Sequence, residues 1–325
     1  MNPCVSGVVA LAVWVSMQFA SIALAQQAYP AKPIRVITPY PPGGVNDVLG
    51  RLVGQKLTES WGQPVLLDNR PGGNTIIGTD AVAKAPADGY TLLQVGGGYV
   101  LTALLTPTPY DAAADFVPVA SLANTDYILV INPLVPAGNL KELIALAKAK
   151  PGQLNYASTG TGGAIHLASE LFNLMAGVNT QHIPYKGGGP AITDLMGGQV
   201  QLHFSAPIAV VPHLNSGKLR AIAIGGEKRA VALPQVPTFT EAGLTGFDVK
   251  SWYGVLAPTG TPRGIVDKLS TEIGRILMLP DIREKLQSQG MESFVSTPDQ
   301  MARLIAADRV RFAKIIKTAK IQMEN

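Results

Sequence analysis

Two stretches of this 325-residue chain put small polar groups at the start of a helix, and both suit the binding of an anion. In the first, Pro39, Tyr40, Pro41 and Pro42 lead into Gly43-Gly44, and Asn46-Asp47 precede an apolar helical pattern of Val48, Leu49, Leu52, Val53 and Leu57. Prolines fix φ and withhold N–H groups, glycines take positive φ or admit a ligand close to the backbone, and a helix start offers unpaired N–H groups at the positive end of its dipole. In the second, Ser158, Thr159, Gly160, Thr161, Gly162 and Gly163 stand before a helix at 164–175 and add three hydroxyl donors. A carboxylate closed between two such loops is held by N–H and O–H groups and needs no basic side chain. Asp47 then caps its helix or accepts a ligand ammonium. Taken alone, the first stretch is equally an ordinary βα turn capped by Asn46 or Asp47.

Other chemistry is sparse. The dinucleotide fingerprint fails at Ile165, where a third glycine would follow Gly160 and Gly162, and neither a nucleotide P-loop nor a G-x-S-x-G elbow occurs. The four histidines, His166, His182, His203 and His213, show no metal-ligand spacing. Ser158 and His166 can be drawn as nucleophile and base, but no acid is placed to orient the histidine. His166 falls in the first turn of the second helix, either partly buried and hydrogen-bonded or lining the ligand cleft. Tyr40, Tyr99, Phe204 and Trp252 are candidate cleft walls, although each residue type more often belongs to a core.

The elements that must position these loops follow from hydrophobic periodicity. Strands at 65–67 and 90–95, with a helix at 76–84 between them, extend the first loop into a βαβαβ pattern, hence a mostly parallel sheet with ligands at the carboxyl ends of its strands. Gly43-Gly44 and Gly96-Gly97-Gly98 both fall at such ends. A strand at 126–132 leads to a second run of alternating elements: helix 140–150, strand 154–157, helix 164–175, helix 191–196, strand 200–205, helix 208–215 and strand 219–224. The apolar stretch 251–258 returns to the first unit, and helices at 262–277, 281–288 and 298–320 close the chain. The expected architecture is therefore α/β with two lobes. Residues 26–128 and 251–325 form lobe 1, residues 129–250 form an inserted lobe 2, and the crossing strands act as a hinge.

Composition sets the setting. Residues 5–24 are mostly apolar and end in Ala23-Leu24-Ala25, which predicts an export signal at 1–25 cleaved after Ala25 and a periplasmic mature chain. Cys4 is the only cysteine, so the mature chain has no disulfide, thiolate metal site or cysteine nucleophile. With 47% hydrophobic residues the chain can build a core, and no later apolar run reaches the ~18–20 residues of a spanning helix. The basic residues near the C-terminus alternate with Leu304, Ile305, Val310, Phe312, Ile315 and Ile316 at helical spacing. That is a solvated helix face and not a nucleic-acid arm. No cofactor is indicated.

The runs P-Y-P-P-G-G-V-N-D-V-L-G-R (39–51), D-N-R-P-G (68–72), A-D-G-Y-T-L-L (87–93), Y-A-S-T-G-T-G-G-A-I-H-L-A (156–168), P-Y-K-G-G-G-P-A (184–191), S-G-K-L-R-A-I-A (216–223), P-Q-V-P-T-F-T-E-A-G (234–243) and W-Y-G-V-L-A-P-T-G-T-P (252–262) occur in order. Together they resemble the Bug family, the extracytoplasmic solute receptors of tripartite tricarboxylate transporters, over essentially the whole mature chain. The resemblance implies a two-lobed periplasmic binding protein of the type II kind that closes about its hinge, with a large and a small membrane subunit as partners. It also implies that the loops at 41–47 and 158–163 hold one ligand carboxylate, partly through water. Less regular positions near Gly97, Tyr99, Phe204 and Ser205 would read the far end. Two departures stand out: Gly73-Asn74-Thr75 follows Arg70-Pro71-Gly72 where the family often continues A-G-G-N, and Gly96-Gly97-Gly98-Tyr99 stands where Ser or Asn is common. Since neither loop holds Arg or Lys, a mono- or dicarboxylate, aromatic ones included, is expected before a tricarboxylate.

Three functions are compatible with the sequence. The first is a receptor that captures a small carboxylate for transport, without catalysis. The second is a periplasmic sensor whose closed form meets a sensor kinase. The third is a secreted hydrolase using Ser158 and His166.

Overall fold

The computed structural model describes residues 29–247 and 249–319; the export segment, with its expected cleavage after Ala25, and Lys320 lie outside the described residues. The described chain forms two sheets. The first has six strands in the order β11-β4-β10-β3-β1-β2, built from β1 (Ile34–Thr38), β2 (Val65–Asn69), β3 (Thr91–Gly96), β4 (Phe116–Asp126), β10 (Lys250–Pro258) and β11 (Glu292–Ser293). The second has five in the order β7-β6-β8-β5-β9, from β5 (Ile128–Ile131), β6 (Asn155–Ser158), β7 (Gln181–Pro184), β8 (Leu202–Ser205) and β9 (Arg220–Ile224).

Both sheets are mixed, which corrects the expectation of mostly parallel ones. β1 pairs in parallel with β2 and β3, and β6 with β7 and β8; the strands entering or leaving each crossing, β4, β10 and β5, pair antiparallel. The reason is connectivity. βα units give parallel neighbours, whereas a strand that passes from one lobe to the other runs against them.

Helices cover both faces of each sheet. Ile34, Val36 and Leu92 face Leu49, Val53 and Leu57 of α1 (Val45–Trp61) and Val266, Leu269 and Ile273 of α8 (Arg263–Leu277). On the other face Ile37, Leu93 and Val95 meet Val82 of α2 (Ile76–Ala83), Leu101 of α3 (Gly98–Leu105) and Met301 and Phe312 of α10 (Pro298–Ala319). Two buried faces make these strands continuously apolar. In the second lobe Leu129, Tyr156, Leu202 and Phe204 pack on α4 (Leu140–Ala149) and α5 (Ala164–Ala176), with Phe239 and Phe247 from the following loop. The opposite face packs on α6 (Gly188–Met196) and α7 (Pro207–Asn215), and α9 (Pro280–Ser288) completes the first lobe.

Four elements are absent from the sequence expectation: β4, α3 and the short strands β7 and β11. β4 is an eleven-residue strand through F-V-P-V-A-S-L-A-N-T-D, whose proline and small polar residues hide it. Pro118 is tolerated there because it sits at a register shift opposite Leu256, beyond the reach of two-residue β11, which pairs only with Asn124 and Ala123. α3 starts at Gly98, inside the triple glycine read as a loop. The helix expected at Pro262 starts one residue later, with Pro262 as its N-cap.

The lobes are joined at Tyr127 and at 249–250. Tyr127 N–H donates to Val249 O at 3.1 Å, and Gly225 N–H donates to Tyr127 O at 2.8 Å, so the two crossing segments are bonded to each other. A Cβ on Gly225 would lie 2.8 Å from Val249 O. Gly225→Ala is therefore expected to spread the crossing and to cost about 1–3 kcal/mol of stability, read as a lowered urea midpoint; an unchanged midpoint would show that the crossing yields freely.

Candidate functional site

The first glycine loop leaves β1 at its carboxyl end. Pro41, Pro42, Gly43 and Gly44 are exposed, and Gly43 has φ +83° with no atom within 4 Å of a would-be Cβ. Glycine is needed there for backbone conformation and not for space. Gly44 is the N-cap of α1, whose start has no side-chain cap; the Asp47 carboxylate instead accepts Gly43 N–H from the preceding loop at 3.1 Å and pairs with the Arg51 guanidinium at 3.0 Å. Burial pushes the Asp47 carboxyl up, but the bonds from Arg51, Gly43 and Asn69 outweigh it and hold the group below its ordinary range. Asp47 is thus buried and braces the loop before α1 through Gly43 and Arg51, which is neither a cap on the helix's own N–H groups nor a free carboxylate. Asn69 at the end of β2 donates to Tyr40 O at 3.2 Å, and Gln94 of β3 donates to Asn46 O at 2.8 Å, which fixes the loop from two neighbouring strands.

The second loop leaves β6. Gly160 and Gly162 have φ +137° and +75°, and Gly163 is the N-cap of α5. Gly160 N–H donates to Ser158 Oγ at 3.2 Å, Gly163 N–H to Gly160 O at 3.3 Å, and Gly162 N–H to His166 Nδ1 at 2.9 Å. Thr159, Gly160, Thr161 and Gly163 remain partly exposed, whereas Ser158 and Gly162 are buried. The N–H groups of the first turn of α5 have no carbonyl before them in the helix and point out of its start. His166 is buried, and because its Nδ1 accepts a hydrogen bond its ring is neutral with the proton on Nε2. Burial, then the neighbouring His182 ring, lower its pKa to about 4.

The second glycine loop meets the 70–75 loop of the first lobe. Asn74, at φ +51° in the 70–75 loop, donates to Thr161 O at 3.4 Å, and its own carbonyl accepts from Thr102 of α3. Leu167 of α5 is buried among Trp252, Met301 and Phe312 of the first lobe. Both helix N-termini, α1 and α5, belong to the carboxyl ends of their sheets, the position where α/β proteins hold ligands.

The expected far-end residues are placed differently. Tyr99 of α3 is buried, donates to Ala112 O at 3.2 Å, lies edge-on to Trp252 and lines a pocket with Leu104, Tyr110, Ile305 and Arg309 that includes no residue of either glycine loop. Gly97 is buried, and a Cβ there would stand 3.1 Å from Trp252 Nε1; its glycine serves packing, not ligand approach. Trp252 itself is buried and donates to Asp308 at 2.7 Å. Phe204 stacks with Phe239 and touches Phe172 and Phe247 in the second core, and Ser205 closes β8, buried opposite Ile128. Tyr40 is half-buried; burial raises its hydroxyl, against a bond from the Gly96 backbone at the end of β3.

Sequence reasoning overlooked His182. It lies on β7 beside Tyr156 and its Nε2 is 2.6 Å from Ser158 Oγ, so the partner of Ser158 is His182 and not His166. The available signal was strand alternation: Tyr156 and Ser158 share a face of β6, and a strand begun at Gln181 puts His182 beside them. Arg51, Asn69, Gln94 and Asn74 were overlooked as well, since each acts through a contact distant in sequence or one helical turn away. Among the described residues no three His, Cys, Asp or Glu side chains come together to hold a metal, and no helix is long and apolar enough to cross a membrane.

Comparison with known proteins gives the family and the fold. The sequence model of the tripartite tricarboxylate transporter family receptors matches residues 49–321. Protein BugT of Bordetella pertussis is 40% identical over 292 residues, which cover 89% of this chain and 90% of BugT. Among solved structures, Rpa4515 of R. palustris with adipate superposes with a TM-score of 0.86 at 36% identity, covering 90% of this chain and 99% of that one. MatC of Rhodopseudomonas palustris with bound malate gives 0.81 at 31% identity, covering 89% of this chain and all of MatC (100%). The chain belongs to the family of tripartite tricarboxylate transporter receptors, the Bug proteins.

Proposed function

We propose that this protein is exported to the periplasm, captures a small mono- or dicarboxylate between the loops at 41–47 and 158–163, and delivers it to the large and small membrane subunits of a tripartite transporter. The observation that carries the reading is one glycine-led helix N-terminus in each lobe, α1 and α5, each at the carboxyl end of its sheet, with Asn74 of the first lobe bonded to Thr161 of the second glycine loop. N–H groups there match a carboxylate oxygen, and the absence of a basic side chain from either loop favours one or two negative charges over three. The adipate and malate held by two structural neighbours are dicarboxylates, which supports the same class here. The Ser158 hydroxyl is buried and bonded to His182 and Gly160, which suits a loop brace better than a nucleophile.

A thermal-shift panel of succinate, malate, adipate, benzoate, amino acids and the matching amides tests this. A ligand at ~100 times its dissociation constant adds about 2.7 kcal/mol to the folded state, expected to raise the melting temperature by about 5 °C. Shifts confined to carboxylates support the site; shifts of equal size with the amides contradict it.

A further inference from the structure

The second loop rests on a cluster of three rings that the binding role by itself does not require. Tyr156 of β6 and His182 of β7 are register partners, with ring centroids 5.1 Å apart and planes 24° from parallel. His166 of α5 stacks on His182, with ring centroids 3.9 Å apart and planes 8° from parallel, and lies 6.2 Å from the Tyr156 ring, so the three rings form a triangle. Each imidazole ends on the loop: His166 Nδ1 accepts Gly162 N–H at 2.9 Å, and His182 Nε2 meets Ser158 Oγ at 2.6 Å. A strand and a helix thus grip the loop at two of its residues through two rings in van der Waals contact.

We infer that His182 is a positioning residue for the carboxylate loop: packed beside Tyr156 and face to face with His166, it fixes the Ser158 hydroxyl and, through it, the Gly160 amide, so that the loop is shaped before ligand arrives. The inference rests on the proposed carboxylate site. Ser158 Oγ accepts Gly160 N–H at 3.2 Å and stands 3.1 Å from Gly160 O. With His182 Nε2–H as a second donor the serine oxygen is saturated, and its own proton is directed to Gly160 O. Gly160 at φ +137° and Gly162 at φ +75° hold conformations that a free loop samples only part of the time. Holding them fixed removes an ordering cost that binding would otherwise bear. Since His182 is half-buried on a short strand of the second sheet, replacing it leaves both cores intact.

The test compares His182→Leu, which keeps bulk, with His182→Gln, whose Nε2 keeps a donor at similar reach. Calorimetric titration with C4–C6 dicarboxylates is combined with amide exchange at Gly160 and Gly162. His182→Leu is expected to weaken dicarboxylate binding at least tenfold and to speed both glycine amides at least tenfold, while the β5 amides exchange as before. His182→Gln is expected to recover binding to within about threefold, which a merely structural role would not produce. Wild-type affinity and unchanged glycine exchange in His182→Leu would overturn the inference, as would equal loss in both variants. If the wild-type protein binds no carboxylate, the proposed function fails; faster glycine exchange in His182→Leu would then still support the brace, and unchanged exchange would sink it too.

Discussion

Between pH 7.5 and pH 4 the folded protein is expected to lose about 6 kcal/mol of stability through two histidines alone. His166 is held neutral by burial and then by the facing His182 ring, with its pKa lowered to about 4. His203 is lowered to about 4 by burial, against the Ala157 carbonyl 2.9 Å from its Nδ1. Its Nε2 is buried with no hydrogen-bond partner among the described residues, so a second proton would have nowhere to donate. In the unfolded chain both rings titrate near their ordinary value of about 6.5. Above that pH the two states bind the same protons and stability is full. Below it the unfolded chain takes protons that the native rings refuse, so stability falls until the native rings titrate near pH 4. The window spans about 2.5 pH units, or about 3 kcal/mol for each ring, with about 4 kcal/mol already lost in total at pH 5. That is a large share of the about 5–15 kcal/mol available to a typical fold. Melting curves from pH 7.5 to 4 check it. A steep fall that flattens in His203→Gln or His166→Gln agrees, and a melting temperature constant from pH 7 to 5 would show that these rings are reached by protons in the native state.

The largest effect on binding is expected from Gly160→Val. Gly160 has φ +137°, a conformation that a β-branched residue does not reach, while a Cβ at that position would meet only Tyr185 O at 3.9 Å and Asn74 Oδ1 at 4.0 Å. The substitution therefore acts through the backbone and not through crowding. To relieve φ the loop must turn, which breaks the bonds from Gly160 N–H to Ser158 and from Gly163 N–H to Gly160 O. Carboxylate affinity is expected to fall at least a hundredfold, about 3 kcal/mol, with a stability cost of about 1–3 kcal/mol. Gly43→Val, at φ +83° in the first glycine loop, should behave alike. Gly189→Ala is the control: it has an ordinary φ and open space around it, and should change neither affinity nor melting. Equal affinity in Gly160→Val and wild type, measured by calorimetry, would remove the second loop from the site.

The two glycine loops were legible in the sequence because their signal is local. A short apolar strand, a glycine run and a helical period occur within about twenty residues, and Gly43, Gly160 and Gly162 take the positive φ that such loops require. The two-lobe plan was legible for the same reason, each βα unit announcing itself. What stayed hidden depends on contacts far along the chain. The triple glycine 96–98 carries the same composition as a ligand loop, yet Gly97 is glycine because Trp252, more than 150 residues later, packs on it. Tyr99 and Phe204 have the residue types of cleft walls and are core, since aromatic side chains fill both roles and only packing separates them. β4 was hidden by Pro118 and by its small residues, which a central strand tolerates once β10 pairs along its whole length. His182 was hidden because its partners, Tyr156, Ser158 and His166, come together only when β6, β7 and α5 are assembled.

The central claim is that a carboxylate, and not merely a small polar molecule, is held between the starts of α1 and α5. Calorimetric titration of the protein with a linear dicarboxylate, its half-amide and its diamide tests that directly. If helix N-termini and hydroxyls hold one carboxylate, the diacid and the half-amide bind and the diamide does not, because the N–H donors then lack their charged acceptor. Diamide binding within a few-fold of the diacid would contradict the account and would move the ligand away from the two glycine loops.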